Sequence, residues 1–457
     1  MTVLIPNYAA KRLQAAPFQI EDAAFAVSRR RVVLGHKTGL GKTFISLLAW
    51  SQLPDINRVV IIGSLSSIGT WTRQLGEWGA SKIYVMQGSG DPDWEKLTRG
   101  ESGIWLCTYT TARMFLAARA KKIRIDLLIC DELHRAMRNR TATYKSIKNL
   151  EARNFLGLTA TWASKGPQDL WPVLNIIDHT EFSSYWRYVN QWCHVSEEAF
   201  GKQIIGVKDA PKLKAMLAAK YYRTRTWKEV GKQFLPKGLE NEPIIRRSEI
   251  VPMSPQQFRA YTGMASKMEA SIGYDVVLAQ NSLDRLTKCL QLAVSPQLLL
   301  PGAEPGAPVQ WLVERLLTLN EAVVFVPFKG LTQIVANALF AEGYKRPLYF
   351  LTGGNSADVT DATIAEWKQN RGHLICTISF AQSFALDVAD NAFFLGFDWD
   401  PNNNIQAEGR MRRFDSSFDA PCLCTYIVPQ YTVYEQVKDV INGKVDTVRQ
   451  VLAGFGV

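Results

Sequence analysis

The segment HKTGLGKT, His36–Thr43, follows the apolar run RVVL (Arg31–Leu34) and Gly35, and it leads directly into the amphipathic run FISLLAW (Phe44–Trp50). A β-branched strand, a glycine-rich turn and a helix start, in that order, are the setting a phosphate-binding loop requires. Gly39 and Gly41 let the backbone around Leu40 aim N–H groups at phosphate oxygens. Lys42 brings a point charge to the β- and γ-phosphates, and the Thr43 hydroxyl suits Mg²⁺. Gly39, Leu40, Gly41, Lys42 and Thr43 are therefore the candidate ATP-binding residues. The loop departs from the strict pattern, because His36 holds the position of the first glycine and Gly35 lies one residue earlier. A glycine-rich turn that opens a helix for steric reasons alone is the alternative reading.

A phosphate loop needs a carboxylate on a neighbouring strand to hold its metal, and DLLICDELH (Asp126–His134) places Asp131 and Glu132 at the end of an apolar run. In that role Asp131 holds Mg²⁺, mostly through water, and Glu132 polarises the attacking water. Alternatively the pair is a solvated turn or a helix cap. No cysteine or second histidine stands at ligand spacing from His134, so it reads as a link from the nucleotide site to neighbouring elements.

Working outward, short apolar runs alternate with helical patterns along the whole chain, the sign of parallel α/β sheets. One series is Arg31–Leu34, Val59–Ile62, Ile104–Cys107, Asp126–Cys130 and Phe155–Leu158; a second is Ala322–Val326, Leu348–Leu351, His373–Thr377, Ala392–Phe397 and Cys422–Val428. Between them, from about Gln168 to the turn-rich Pro301–Pro308, the pattern reads as more helical and basic. Single cores stop growing at roughly 250–300 residues, so 457 residues predict two domains. With 47% hydrophobic and 21% charged residues, the composition argues against disorder, collagen and coiled coil. No apolar run reaches the ~18 residues of a membrane span, and MTVLIPNYAAKRLQ lacks the build of a secretory signal, so a cytoplasmic protein with no membrane partner is expected. The seven scattered cysteines read as buried thiols, with Cys422 and Cys424 alternating along a strand. A net charge of +11 calls for a polyanionic partner.

Several further segments then support a resemblance. These are PFQIEDAAF (Pro17–Phe25), VVIIGSLSSIGTWTRQLGEW (Val59–Trp78), CTYTTARM (Cys107–Met114), DELHRAMRNRTATYKSIKNL (Asp131–Leu150) and GLTATWASKGPQDLWPVLNII (Gly157–Ile177). IVPMSPQQFRAY (Ile250–Tyr261), VVFVPF (Val323–Phe328) and FDWDPNNNIQAEGRMRR (Phe397–Arg413) follow. In content and order the chain resembles helicase superfamily 2, and within it the Swi/Snf-type DNA translocases. The resemblance implies an α/β fold of two tandem RecA-like P-loop lobes, each a mainly parallel sheet flanked by helices. It places the N-terminal ATP-binding lobe at 1–225, a linker at 226–245 and the C-terminal lobe at 246–457. It also implies that Gln19 reads adenine, that Thr159, Ala160 and Thr161 couple the lobes, that Gln406 helps bind the nucleotide, and that Arg410 and Arg413, on the same motif, reach the γ-phosphate from the opposite lobe. A guanidinium there stabilises charge on the transferred phosphoryl group when the cleft shuts. A basic exposed helix is the alternative for Arg410–Arg413.

Two departures stand out: Gln382 and Ser383 replace small glycines within Ile378–Asp390, and Phe414-Asp415 follows Arg413 where the family prefers glycine-glutamine. The compact length suits a bacterial or phage protein, in the latter case active in the host cytoplasm. The run Lys212, Lys214, Lys220, Arg223, Arg225, Lys228, Lys232 and Lys237, opposed by Glu229, reads either as a solvated face or as the family's passage into the linker, contacting phosphates without reading sequence. Tyr221, Tyr222 and Trp227 there pack against sugar or against lobe one. Trp71, Trp78, Trp162, Trp171 and Trp367 read as core residues. No base-reading module and no obvious strand-separating hairpin is recognisable. The expected function is an ATP- and Mg²⁺-dependent motor, monomeric, moving on duplex or branched DNA through phosphate contacts. A strand-separating DNA or RNA helicase, an ATP-gated nucleic-acid clamp with little turnover and a small-molecule P-loop kinase are the alternatives.

Overall fold

A computed structural model describes residues 6–119, 123–136, 141–160, 166–198, 201–231, 243–355, 357–381, 384–398, 401–413 and 420–435. Thr161, Trp162, Lys232, Lys237, Gln382, Ser383, Trp399, Asp400, Phe414 and Asp415 lie outside these residues. The described residues fall into two compact units, one within Met1–Gln233 and the other within Phe234–Asn442.

The first unit contains strands β1 (Arg31–Leu34), β2 (Arg58–Gly63), β3 (Ile83–Val85), β4 (Gly103–Thr108), β5 (Arg124–Asp131) and β6 (Glu151–Leu158). A hairpin, β7 (Cys193–Glu198) and β8 (Gly201–Val207), and the two-residue β9 (Tyr222–Arg223) follow. Apart from the hairpin they form one seven-stranded sheet in the order β3-β4-β2-β5-β6-β1-β9, with every pairing parallel. Val59–Ile62 and Leu127–Cys130 are buried throughout, because helices cover both faces and leave no solvated side to alternate with. The core beneath is rich in large side chains, among them Trp94 stacked on Phe115 with ring centroids 4.2 Å apart.

In the second unit, β10 (Ile244–Val251) precedes a hairpin, β11 (Glu269–Ile272) and β12 (Asp275–Leu278). Strands β13 (Ala322–Val326), β14 (Leu348–Leu351), β15 (His373–Thr377), β16 (Asn391–Leu395) and β17 (Cys422–Pro429) complete it. The sheet order is β10-β17-β16-β13-β15-β14, again wholly parallel. The expected α/β architecture with two mainly parallel sheets is what the chain adopts. The middle stretch differs from expectation, since residues 168–308 hold both hairpins and β10 as well as helices. All seven cysteines are buried thiols, and Cys422 and Cys424 share one face of β17 with sulfurs 4.0 Å apart. Trp71, Trp78, Trp171 and Trp367 are core residues, as expected. Among the described residues no helix is long and apolar enough to cross a membrane.

Candidate nucleotide site

The phosphate loop leaves the C-terminal end of β1 and turns into the helix Lys42–Trp50. Its two glycines take left-handed backbone, φ 85° at Gly39 and 76° at Gly41, which L side chains rarely adopt. A Cβ at Gly41 would also lie 2.7 Å from Gln19 Nε2, so a larger residue there would have to push the Gln19 amide aside. Gln19 thus sits against the loop, buried in the helix Pro17–Arg29, with its Oε1 accepting the Ala16 N–H at 3.0 Å. Leu40 is fully buried and roots the loop in the core, while Lys42 Nζ donates to the His36 carbonyl at 2.9 Å.

Asp131 ends β5, and β6 lies between that strand and β1, so the acidic motif is one strand further from the loop than a neighbouring-strand arrangement requires. At ~4.8 Å per strand step that spacing leaves about 10 Å for phosphates and an ion. Three hydrogen bonds fix Asp131: Trp71 Nε1 donates to its Oδ2 at 3.1 Å, the Glu132 N–H to its Oδ1 at 3.0 Å, and Tyr109 Oη to its carbonyl at 2.7 Å. Burial and then the charge of Glu132 push the Asp131 carboxyl up to about 6, against the Trp71 bond and the nearby Lys42 ammonium. Two adjacent carboxylates thus stand at the end of β5, with the Lys42 ammonium acting on Asp131 and His134 beside Glu132. Among the described residues no group of three or more His, Cys, Asp or Glu could hold a metal. Mg²⁺, a hard ion that takes one or two protein oxygens and fills its shell with phosphate and water, is an ion that Asp131 and Thr43 could hold. Glu132 stands in left-handed backbone at φ 52°, and His134 Nδ1 lies 3.3 Å from its Oε2.

Behind the loop, His36 is wholly buried and its Nε2 pairs with Asp22 Oδ2 at 2.8 Å. Arg223 Nε at 2.7 Å and Arg225 Nη2 at 2.9 Å donate to Asp22 Oδ1, and Arg225 Nε at 3.0 Å donates to Oδ2. Burial by itself would raise the Asp22 carboxyl, but the bonds from His36, Arg225 and Arg223 prevail and hold it well below the usual range. His36 is shifted down, by burial first and then by Lys42 and Arg225 against the pull of Asp22, so it pairs as a neutral Nε2–H donor. Arg223 and Arg225 are therefore bound to the first unit, which removes the solvated-face alternative for these two. Tyr221 and Tyr222 are buried, and the Trp227 indole donates to the Thr38 carbonyl at 3.2 Å.

In the second unit the helix Pro401–Glu408 carries buried Gln406, and the chain turns after it, with the Arg410 N–H on the Ala407 carbonyl at 3.1 Å. Arg410 and Arg413 are half-buried, whereas Met411 and Arg412 between them are fully buried. Arg412 donates to the carbonyls of Ala389 at 3.0 Å and Ala420 at 3.0 Å and to Asp390 Oδ1 at 2.5 Å. That rules out a basic exposed helix. Glu408 locks the helix down: Arg246 Nε and Nη2 reach it at 2.8 and 2.6 Å, and Tyr426 Oη donates at 2.5 Å. The structure thus gathers Gln19, Gly39, Leu40, Gly41, Lys42, Thr43, Asp131 and Glu132 in the first unit, and Gln406, Arg410 and Arg413 in the second.

Residues 18–294 match the profile of the SNF2-related domain, more than half of the chain. The chain belongs to the SNF2-related family. A SWI/SNF-related matrix-associated actin-dependent regulator of chromatin subfamily A-like protein 1 from Drosophila melanogaster is 20% identical over 445 residues, 96% of this chain and 56% of the relative. An ISWI chromatin-remodeling complex ATPase from Arabidopsis thaliana is 24% identical over 414 residues, 83% of this chain and 37% of the relative. This SNF2-related chain therefore spans about half or less of the length of these curated relatives. Among solved structures, the Sulfolobus solfataricus SWI2/SNF2 ATPase core in complex with dsDNA aligns over 96% of this chain and 92% of its own, with TM-score 0.44 and 17% identity. Reading the SNF2-related motifs one at a time misses Asp22 and Glu408, whose arginine partners lie far away in sequence, and the anchoring of Arg412 on carbonyls outside its motif.

Proposed function

We propose that the chain is an ATP-hydrolysing motor that moves along duplex or branched DNA. The observation that carries this reading is the convergence at the C-terminal ends of β1 and β5 of a phosphate loop backed by Gln19 with the carboxylate pair Asp131 and Glu132, the Lys42 ammonium being near enough to act on Asp131. In that reading the N–H groups of Gly39–Thr43 and the Lys42 ammonium bind the β- and γ-phosphates. Thr43 and Asp131 would hold Mg²⁺, which when bound neutralises phosphate charge. Glu132 orients the attacking water, and Arg410 and Arg413 supply charge to the transferred phosphoryl group in the competent state. Family membership, the DNA-bound state of the aligned Sulfolobus core and the net charge of +11 support DNA as the track. Contacts to phosphates make binding steeply salt-dependent and insensitive to sequence. The test is ATPase activity without nucleic acid and with single-stranded, duplex and branched DNA and RNA, side by side. Strongest stimulation by duplex or branched DNA is expected, and stimulation by RNA only would overturn the reading.

One observation favours strand separation as a second reading. Hairpin β11–β12, which the sequence does not announce, presents a fully exposed Tyr274 at its tip, with Val276 and Leu278 exposed beside it. An aromatic tip of this kind can stack on an unpaired base, worth ~1–3 kcal/mol. If it acts in this way, Tyr274→Ala slows unwinding of a forked substrate and leaves duplex-stimulated ATPase intact. Equal loss on fully duplex substrate would remove the reading.

A further inference from the structure

The segment that closes the first sheet is fastened to the first half of the phosphate loop. Strand β9 pairs parallel with β1, and the ladder continues beyond the end of β1: the Gly35 N–H donates to the Arg223 carbonyl at 2.8 Å and the Lys37 N–H to the Arg225 carbonyl at 3.1 Å. Thr224 Oγ1 donates to the Gly35 carbonyl at 2.9 Å, and the Trp227 indole to the Thr38 carbonyl at 3.2 Å. Arg223 and Arg225 also hold Asp22, the partner of the His36 ring. These bonds engage Gly35–Thr38, and the Leu40 N–H closes a turn onto the Lys37 carbonyl at 3.3 Å ahead of the helix Lys42–Trp50. A capping box then sets the next turn rigidly, with the Thr226 hydroxyl accepting from the Glu229 N–H and the Glu229 carboxylate from the Thr226 N–H.

We infer that Arg225 and Trp227 are positioning residues of the phosphate loop, and that the segment Tyr222–Val230 shifts with the loop's nucleotide state. This rests on the reading of His36–Thr43 as the ATP site. Lys42 Nζ donates to the carbonyl of His36, the same residue whose ring is held by Asp22. A bound phosphate draws that ammonium away and releases the carbonyl. The loop's first half then re-seats, and its backbone bonds carry the displacement into residues 223–227. The first unit runs to Gln233 and the second begins at Phe234, so this segment lies on a covalent path out of the ATP-binding unit. An elastic link there gives nucleotide binding a mechanical output.

The experiment is hydrogen–deuterium exchange on the full chain with and without a non-hydrolysable ATP analogue and Mg²⁺, combined with steady-state ATPase of Trp227→Phe and Arg225→Lys. Trp227→Phe keeps the ring and removes a single donor. It should raise KM for ATP roughly three- to tenfold, the worth of one hydrogen bond, with kcat within about twofold and the melting midpoint unchanged. Arg225→Lys keeps the charge and loses the fork on Asp22, and should act in the same direction. In the wild type the analogue slows exchange in both Gly39–Thr43 and Tyr222–Val230; in Trp227→Phe the second response shrinks while the first persists. A wild-type KM in Trp227→Phe, or protection confined to Gly39–Thr43, overturns the inference and leaves the ATP site standing. Absence of protection in the loop itself overturns the ATP site and the inference with it.

Discussion

The indole of Trp71 donates a hydrogen bond to Asp131 Oδ2 across 3.1 Å, joining the helix Leu65–Glu77 to the end of β5. Trp71 is fully buried, so the bond forms away from competing water and fixes which way the carboxylate faces. Ion-binding carboxylates held in this way owe much of their affinity to the group behind them. Trp71→Phe, which keeps the packing and removes the donor, should raise the Mg²⁺ concentration for half-maximal ATPase activity by about 10-fold or more. Titrating Mg²⁺ against turnover measures it, and full chelation of Mg²⁺ should stop turnover in both proteins. An unchanged Mg²⁺ midpoint would make the Trp71 bond a matter of packing.

Lys42→Ala and Glu132→Gln remove, respectively, the phosphate's counter-charge and the group that orients water. Each should lower kcat by about 100-fold or more, while thermal melts stay within a few degrees of wild type. Near-wild-type turnover by either variant contradicts the assigned chemistry.

Three neighbouring basic residues should respond in opposite ways. Arg412 is fully buried and satisfies the backbone carbonyls of Ala389 and Ala420, so Arg412→Ala strands those acceptors and should destabilise the second unit by about 3 kcal/mol, seen as an earlier unfolding transition. Arg410→Ala and Arg413→Ala should melt normally and bind ATP nearly as wild type, yet turn over slowly even with saturating DNA. Lost ATP affinity at unchanged turnover would make those two arginines ground-state ligands.

His373 offers a pH test of the second unit. Burial lowers its pKa to about 4, against the bond its Nε2–H donates to the Leu316 carbonyl at 3.0 Å, with Arg346 adding to the depression. Unfolded, the ring binds a proton near 6.5; folded, it does so only near 4. The unfolded state therefore binds more protons between those values, and stability falls as pH drops from 6.5 towards 4 by up to about 3 kcal/mol. Denaturant titrations at pH 7 and pH 4.5 should show a smaller loss for His373→Gln than for wild type. Equal losses would assign the acid sensitivity to other groups.

What could be read from the sequence follows from what is local in it. Runs such as Val59–Ile62 and Val323–Val326 announce themselves because strands buried on both faces are apolar at every position. Strand β10 does not, since Arg246, Arg247 and Ser248 stand exposed on an edge where charge guards against further pairing. Strand β9 spans only two residues, too few for any period. The phosphate loop and the Asp131–Glu132 pair are each contiguous, so residue type and spacing reveal them. The bond from Arg225 to Asp22 joins residues 203 positions apart, and the order β5-β6-β1 that sets the loop's distance from the carboxylates is decided by tertiary packing.

The central claim, ATP-driven movement along duplex DNA, is tested most directly by displacement of a third strand from a triplex formed on duplex DNA, because that readout requires translocation and no unwinding. The wild-type chain with ATP and Mg²⁺ should release the third strand, and Lys42→Ala should not. Failure of the wild type to release it, under conditions where single-stranded DNA or RNA stimulates ATPase activity and duplex DNA does not, would contradict the claim.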